Sequence, residues 1–222
     1  MKVLAPVSKH VKKRPYDNSA RLEQSNNTRQ AILDAARFQL LERGYRATTI
    51  ADIARRAGAH VDTVYTLVGR KPALLRELIE QAISGTDKAI PAEQRDYVSA
   101  IRAEPDPRRK IAIYAHATRE IHARLAPLLL ALRDASTTEP DARAVWDEIS
   151  ERRAKNMREL AKDLESVDGI RAGLSIAEAA DTIWVTNSAE VYVLLTTERG
   201  WPPDRYERWL ADTWSRLLLP DS

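Results

Sequence analysis

Residues 48–71 read TTIADIARRAGAHVDTVYTLVGRK and hold two short apolar patterns separated by Gly58. The patterned residues are Ile50, Ile53, Ala54 and Ala57 in the first run and Val61, Val64 and Tyr65 in the second. Both runs have the three- and four-residue spacing of one buried helix face. Helices this short are marginal alone, so neighbouring helices must hold them in place. Two short helices joined by a glycine-containing turn predict a helix-turn-helix unit.

Such a unit places its second helix in the major groove of DNA, while its first helix crosses the phosphate backbone. The charge distribution favours the same interpretation. Residues 1–86 carry a net charge of +7, whereas residues 87–222 carry −4. A basic front half favours contact with a polyanion, although an Arg-rich surface without such a role is the alternative.

The rest of the chain also shows helical spacing, with no segment that alternates like a β-strand. We therefore predict an all-α fold of about nine helices, in which an N-terminal helix-turn-helix three-helix DNA-binding domain is fused to a larger helical ligand-binding and dimerisation domain. The predicted domains are a flexible basic arm over 1–26, the DNA-binding domain over 27–70 and the second domain over 71–222. Outside residues 48–70, the predicted helices cover 27–43, 71–84, 91–103, 107–134, 140–167, 175–198 and 203–219.

The composition excludes several classes of protein. With 44% hydrophobic residues among 222, the chain can bury a core as one large domain or two small ones. It has no Cys, which excludes disulfides, thiolate metal sites and a Cys nucleophile. No apolar run has the length of a membrane span or of a signal-peptide core, so we expect a cytoplasmic protein with no membrane partner.

Several short motifs resemble the TetR family of bacterial transcriptional regulators. The segments are AILDAA, GYRATT, IADIARRAG, AHVDTVY and RKPALL, and they cover residues 28–76 with the spacing that the family keeps. The stretch from residue 179 to 214 also resembles the C-terminal helix pair with which many members dimerise. Four positions depart from the family pattern: Ala59 replaces Val, His60 a capping Ser, Asp62 a Gly, and Val68 a Phe.

The resemblance implies which side chains meet an operator, a double-stranded DNA site. Phosphate contacts are implied for Thr48 or Thr49, Thr63, Tyr65 and Lys71, base-edge contacts for His60, Val61 and Asp62, and backbone or minor-groove contacts for Arg46 and for Lys12, Lys13 and Arg14 of the arm. Alternatives remain open: Tyr65 as a core aromatic, Lys71 as a solvated lysine, and the arm as a solubilising tail.

Asp62 is unusual at a DNA-facing position, because its carboxylate meets the repulsive field of the phosphates. It can accept a hydrogen bond from a cytosine amino group. It can instead stabilise the third helix, since an acidic residue in the first turn suits the helix dipole. We favour the helix-stabilising role.

The resemblance further implies a small-molecule effector that enters the C-terminal domain and changes the spacing of two DNA-reading heads through the fourth helix. Candidate residues combine aromatic bulk with a few polar groups, as ligand pockets do. They are Tyr97, Tyr114, His116, Trp146, Asn156, Met157, Trp184 and Asn187. Each is also a candidate for an ordinary core position.

A homodimer is implied as well, with the last two helices pairing across a two-fold axis. The residues expected at that interface are Val191, Leu194, Leu195, Trp209, Leu210, Trp214 and Leu217. Burial of all of them within one subunit is the alternative.

No motif of an enzyme is present. HExxH, GxSxG, P-loop and dinucleotide-binding patterns are absent, and His116 and His122 are six residues apart, off a common helix face. We therefore expect no catalytic site, no metal and no cofactor. The two functional hypotheses are a ligand-responsive DNA-binding repressor and a helical small-molecule-binding or interaction protein that no longer reads DNA.

Overall fold

The structure is a computed structural model that describes residues 18–221. The described part is all-α, which confirms the predicted fold class. Its helices are α1 Asn18–Ala47, α2 Ile50–Ala57, α3 Val61–Leu67, α4 Lys71–Ser84, α5 Asp96–Ala103, α6 Pro107–Ser136, α7 Pro140–Glu165, α8 Ile176–Thr186, α9 Ala189–Val193 and α10 Pro203–Leu218. A 3₁₀ turn, Ala92–Gln94, precedes α5, and a π-helical turn, Leu194–Glu198, follows α9.

The first helix begins earlier than predicted. It starts at Asn18, so the prediction of an aperiodic arm is wrong for residues 18–26; Lys12, Lys13 and Arg14 lie outside the described residues. Residues 19–26 are exposed apart from the half-buried Ser25, and Leu22 is 64% exposed. Extending an existing helix gains one hydrogen bond for each residue fixed, so this polar segment needs no buried face. The regular helix ends close to the predicted residue 43, because Gly44 has non-helical dihedrals with φ 75°.

The helix predicted over 175–198 is divided into three parts. It breaks at Asn187, whose ψ of 55° is not helical, and Ser188 then caps α9 by accepting a hydrogen bond from the Val191 amide at 3.2 Å. The Asn187 side chain is also held by tertiary hydrogen bonds. The prediction of one continuous helix failed because apolar spacing carries no information on such side-chain competitors.

Two hydrophobic cores divide the molecule. The first joins α1–α4 to the C-terminal half of α6 and the N-terminal half of α7, and Leu33, Ile53, Val64, Leu78 and Leu128 are among its buried residues. The second joins α5, α6, α7, α8 and α10. The first core therefore crosses residue 70, where the sequence analysis placed a domain boundary. A helix long and apolar enough to cross a membrane does not occur within residues 18–221.

Candidate DNA-binding surface and buried polar centre

The second helix begins at a hydroxyl cap. Thr49, rather than Thr48, is the N-cap: its Oγ1 accepts a hydrogen bond from the Asp52 amide at 3.1 Å and donates to the Asp52 carboxylate at 2.7 Å. These hydrogen bonds lower the pKa of Asp52, and a further one from Arg55 contributes. The helix ends at Gly58 in the left-handed region, with φ 65°, which suits a residue without Cβ.

Thr48 belongs to the interior instead. Its side chain is buried, and its Oγ1 lies 2.8 Å from the Gly44 carbonyl oxygen and 3.0 Å from that of Gln39. The hydroxyl thus closes the end of α1, where helical carbonyls lose their partners. The predicted phosphate contact of the Thr48 side chain is wrong in this conformation, since this hydroxyl is enclosed.

The third helix faces outward with the residues that the family resemblance placed on DNA. The apolar spacing was wrong for Val61 and Tyr65, which it placed on the buried face. Val64 alone is fully buried and anchors the helix in the first core. His60, Val61, Asp62 and Tyr65 are exposed, with 49% of Tyr65 accessible. His60 occupies the N-cap without forming a side-chain cap, as expected for a poor capping residue. Thr63 is half-buried, and Arg46 and Thr49 are exposed beside the helix.

Lys71 has a structural role that the sequence did not predict. Its Nζ donates to the carbonyl oxygens of Tyr45 at 2.8 Å and Thr48 at 3.2 Å, and it lies 4.0 Å from the Tyr45 ring centre. Burial lowers the pKa of Lys71, against a smaller opposing effect of Glu139. The ammonium therefore joins the start of α4 to the end of α1. A phosphate contact of Lys71 stays a prediction.

A cleft of about 720 Å³ opens beside this junction. One side carries residues of the α1–α4 region, which includes the helix-turn-helix. The other side carries Glu139 and Asp141 at the corner between α6 and α7. The lining residues on the first side include Arg46, Thr49, Tyr65, Arg70 and Lys71. Burial, assisted by Glu139 and Asp141, raises the pKa of Tyr45 to about 12. The corner of the C-terminal domain thus places negative charge beside the DNA-reading unit.

Helix α4 is tied to both halves of the molecule by charged side chains. Arg29 of α1 pairs with Glu77 through two hydrogen bonds and donates from Nε to the Leu67 carbonyl at 3.3 Å. The same helix forms ion pairs with α7 and accepts a hydrogen bond from α6. These contacts are Arg76–Glu148 at 2.6 Å, Arg152–Glu80, and Arg124 Nε to the Ala82 carbonyl at 3.1 Å.

A chain of polar contacts lies inside the C-terminal domain. His122 Nε2 lies 2.7 Å from Asn187 Oδ1, and Asn187 Nδ2 donates to the Tyr114 hydroxyl at 2.7 Å. The Tyr114 hydroxyl donates in turn to Met157 Sδ at 3.4 Å. Tyr114 stacks on Trp214 with 5.2 Å between ring centres. We refer to His122, Asn187, Tyr114 and Met157 as the polar centre.

Arg153 reaches this centre from α7. Its guanidinium donates to the carbonyl oxygens of Trp184 and Asn187 and lies 4.6 Å from the Trp184 ring centre. These carbonyls belong to the C-terminal end of α8, where a cation is favoured by the helix dipole. Burial lowers the pKa of Arg153.

Five of the eight predicted effector residues meet here: Tyr114, Met157 and Asn187 belong to the polar centre, and Trp184 and Tyr97 lie against it. The other three do not. His116 is exposed and pairs with Glu207, outside the polar centre, and its place in a ligand pocket stays a prediction. Trp146 packs against the first core, and its contact with an effector stays a prediction as well. Asn156 is half-buried and contributes none of the hydrogen bonds described at this centre.

Sequence analysis missed His122, Thr118 and Arg153 at this site. Tyr114, Thr118 and His122 are spaced by four residues along α6, so they share one helix face. That polar stripe on an otherwise apolar face was the available signal. Arg153 had none, because its placement depends on the break after α8.

The residues predicted for the dimer interface fall into two groups. Leu210 and Trp214 are fully buried within one subunit, so their prediction is wrong; Trp214 Nε1 donates to Thr186 Oγ1 at 2.7 Å. Leu194 and Leu217 are exposed, and Val185 of α8, which the sequence analysis missed, is 56% exposed. Val191, Leu195 and Trp209 are half-buried.

No group of three or more His, Asp or Glu side chains within residues 18–221 has the arrangement of a metal site.

Comparison with known proteins identifies the helix-turn-helix region. Residues 32–78 match the family described as bacterial regulatory proteins, tetR family. A search of curated proteins finds no match.

Solved structures with the same fold cover most of this chain. Native NalD of Pseudomonas aeruginosa, the secondary repressor of a multidrug efflux pump, is 23% identical; the match covers 89% of this chain and all of NalD, with a TM-score of 0.69. FadR of Bacillus subtilis in complex with stearoyl-CoA is 18% identical, with coverage of 84% and 97% and a TM-score of 0.67. A regulator from Saccharomonospora viridis in complex with choline is 18% identical, with coverage of 86% and 97% and a TM-score of 0.63.

Proposed function

Since the chain carries the helix-turn-helix domain of the TetR family, we propose that it is a ligand-responsive transcriptional repressor. In this proposal it binds a DNA operator as a homodimer in the cytoplasm and releases the operator when a small molecule binds the C-terminal domain.

The exposed first turn of α3 is the observation that carries this proposal. Val64 holds the helix in the first core, while His60, Val61 and Asp62 extend into solvent and Tyr65 stands beside them. A recognition helix contacts base edges with its N-terminal residues, so this turn is where readout takes place. Thr49 and Arg46, exposed nearby, supply the hydroxyl and cation that phosphate contacts require.

The direct test is fluorescence anisotropy of the protein on DNA from upstream of its own gene, compared with scrambled DNA over a salt series. We expect selective binding of two chains per site. The affinity falls with salt at a slope of about −0.9 per phosphate contact. Equal, weak binding to both DNAs, and to every sequence in a selection from random DNA, would contradict the proposal.

Two variants of α3 separate base readout from helix stability. Val61→Ala removes an exposed side chain at the proposed base edge, and we expect it to lower the affinity for the selected DNA and spare scrambled DNA. The matched control is Thr66→Ala, whose hydroxyl donates to the Asp62 carbonyl at 2.8 Å within the same helix. Thr66 lies one turn further along α3, so its removal should leave the sequence preference unchanged.

In the proposed mechanism, α4 carries the signal from the effector to the DNA. It contacts α7 through Arg76 and Glu80 and contacts α1 through Glu77, so a displacement of α6 or α7 moves α1 and α3 with it. A dimer must hold two recognition helices about 34–36 Å apart, the length of one DNA turn. A small tilt of α1–α3 in each subunit is therefore enough to end binding.

The proposed dimer interface uses the apolar side chains that remain exposed on α8, the π-helical turn and α10, namely Val185, Leu194 and Leu217. Interfaces between obligate partners are rich in such residues. We expect sedimentation velocity to give a dimer for the wild type and a shift to monomer for the Leu194→Asp, Leu217→Asp double variant. A dimer that persists in that variant would place the interface elsewhere.

Stearoyl-CoA and choline, found in two structures of this fold, differ in size and charge. The fold alone therefore does not identify an effector for this chain. The alternative of a helical protein that no longer reads DNA is not favoured.

A further inference from the structure

Buried side chains in and beside the polar centre of the C-terminal domain have unpaired hydrogen-bonding atoms. Three atoms on side chains that are at least nine-tenths buried have no partner among the described residues: His122 Nδ1, Thr118 Oγ1 and Tyr206 Oη. A buried polar group without a partner costs about 1–3 kcal/mol. Such groups in a folded domain are explained when a ligand or water satisfies them.

The direction of the hydrogen bonds around Asn187 shows which ring nitrogen of His122 carries the proton. Asn187 uses Nδ2 to donate to Tyr114, so its Oδ1 faces His122 and accepts a hydrogen bond. His122 must therefore carry its proton on Nε2. Burial lowers the pKa of His122 to about 4, so the ring is neutral at pH 7 and Nδ1 holds a bare lone pair. Nδ1 is an acceptor that needs a donor.

The positive charge of Arg153 disfavours a cationic ligand as the hydrogen-bond donor. Arg153 brings a guanidinium to the centre, and its described hydrogen bonds go to backbone carbonyls. Glu190, the carboxylate closest in sequence to Asn187, pairs with Arg133. An ammonium ligand would therefore bring a second positive charge into a region of low dielectric constant, where like charges repel strongly.

Aromatic rings provide the remaining contacts. His122 stacks on Tyr192 with 5.6 Å between ring centres, and Tyr192 meets Tyr206 edge to face at 5.0 Å. Tyr114 and Trp214 form a second stack. Such a shell suits a flat ring more than a long flexible chain, because aromatic faces and edges pack best with each other.

From these observations we propose that the effector is a compact aromatic molecule with a hydroxyl group, and that the hydroxyl donates to His122 Nδ1. The hydroxyl oxygen accepts in turn from Tyr206 or Thr118. This inference rests on the proposed ligand response of the C-terminal domain and names the chemistry of that site.

Four probes that share the 4-ethylphenyl group and differ in the substituent opposite it test the claim by isothermal titration calorimetry at pH 7.5, in the absence of DNA. They are 4-ethylphenol, 4-ethylanisole, 4-ethylbenzoate and 4-ethylbenzylammonium. Only the phenol is an uncharged donor. We expect it to bind about tenfold more tightly than the anisole, which has the same ring without the donor, and the ammonium to bind most weakly. A preference for the benzoate would show that Arg153 selects an anion and would overturn the proposal, as would equal binding of phenol and anisole.

Two variants locate the contact. His122→Phe keeps a ring against Tyr192 but removes the acceptor, so the preference for 4-ethylphenol over 4-ethylanisole should disappear while anisole affinity is retained. The matched control is His116→Phe, an exposed position of the same helix, which should retain the full preference.

A spectroscopic measurement covers the case in which His122→Phe does not fold. In the wild type, the ¹⁵N resonance of His122 Nδ1 should shift with 4-ethylphenol and stay unchanged with 4-ethylanisole. An unchanged resonance with both probes would overturn the contact. Because no DNA is present, failure here would leave the proposed DNA binding intact, and failure of operator binding would leave this result intact.

Discussion

The Nζ atom of Lys71 lies 2.8 Å from the carbonyl oxygen of Tyr45 and 4.0 Å from the centre of its ring. The same ammonium also binds the Thr48 carbonyl. The first residue of α4 therefore neutralises the end of α1, where unpaired carbonyls concentrate negative potential. This contact joins the start of α4 to the chain segment between α1 and α2, and so links α4 to the helix-turn-helix.

Replacement of Lys71 distinguishes an anchor from a phosphate ligand. We expect Lys71→Met to lower the free energy of unfolding by about 1–3 kcal/mol, since two charged hydrogen bonds are lost. DNA affinity should fall with an unchanged salt slope, because no phosphate contact is removed. Urea unfolding and an anisotropy salt series measure the two effects. Lys88→Met, at an exposed position of the following loop, is the control. A slope reduced by about 0.9 would instead establish the phosphate contact.

The acidic corner between α6 and α7 should weaken DNA binding. Glu139 and Asp141 line the same cleft as Arg46, Arg70 and Lys71, so their charges oppose an approaching phosphate. We expect Glu139→Gln with Asp141→Asn to raise DNA affinity about 3- to 10-fold at low salt, with little gain at high salt.

A matched double variant controls for net charge in that experiment. Glu165→Gln with Asp181→Asn removes two exposed carboxylates elsewhere; Glu165 ends α7, 26 residues after Glu139, or about 39 Å along the helix. An equal rise in both double variants would mean that only the total charge matters, and the corner would have no special role.

The ion pair of Lys110 and Asp163 should show unequal costs for its two members. Lys110 is buried, and its Nζ lies 2.7 Å from Asp163 Oδ2 and 2.6 Å from the Ile101 carbonyl. We expect Asp163→Ala to cost about 2–4 kcal/mol, because it leaves a buried cation without its counter-charge. Lys110→Met should cost less, since Asp163 is partly exposed and can hydrate. Thermal and urea unfolding measure both, and a larger loss for Lys110→Met would contradict this order.

The stability of the fold should depend on His122 in mildly acidic solution. The pKa of His122 is about 4 in the folded state, below the value of about 6.5 for an unfolded chain. The unfolded state therefore binds more protons between these values, and stability is lost as the pH falls from about 6.5 to about 4. Once the pH is below both pKa values, this shift lowers the free energy of unfolding by about 3 kcal/mol.

Unfolding in urea at pH 7.5 and pH 5 measures this dependence. His122→Phe should show a smaller loss than the wild type over that interval, because it cannot take up the proton. His116→Phe, at an exposed position, should behave as the wild type does. Equal pH dependence in all three proteins would show that other groups carry the effect.

The sequence by itself determined the helix-turn-helix and most of the other helices. Apolar spacing identified α2, α3, α4, α6, α7 and α10, but it wrongly placed Val61 and Tyr65 on the buried face of α3, where Val64 is the buried residue. Periodicity identifies helices because a buried helix face repeats every three or four residues whatever lies opposite. It underestimated α1, whose first nine residues have no buried face to reveal them.

Only the tertiary structure decided how side chains are used across helices. It buried Thr48, gave Lys71 two backbone partners, and turned His116 outward and His122 inward. It also enclosed Trp214 within one subunit and broke the helix at Asn187. The physical reason is common to all of these cases: a hydrogen bond or burial between residues distant in sequence depends on where other helices lie, and no local pattern of residue types records that.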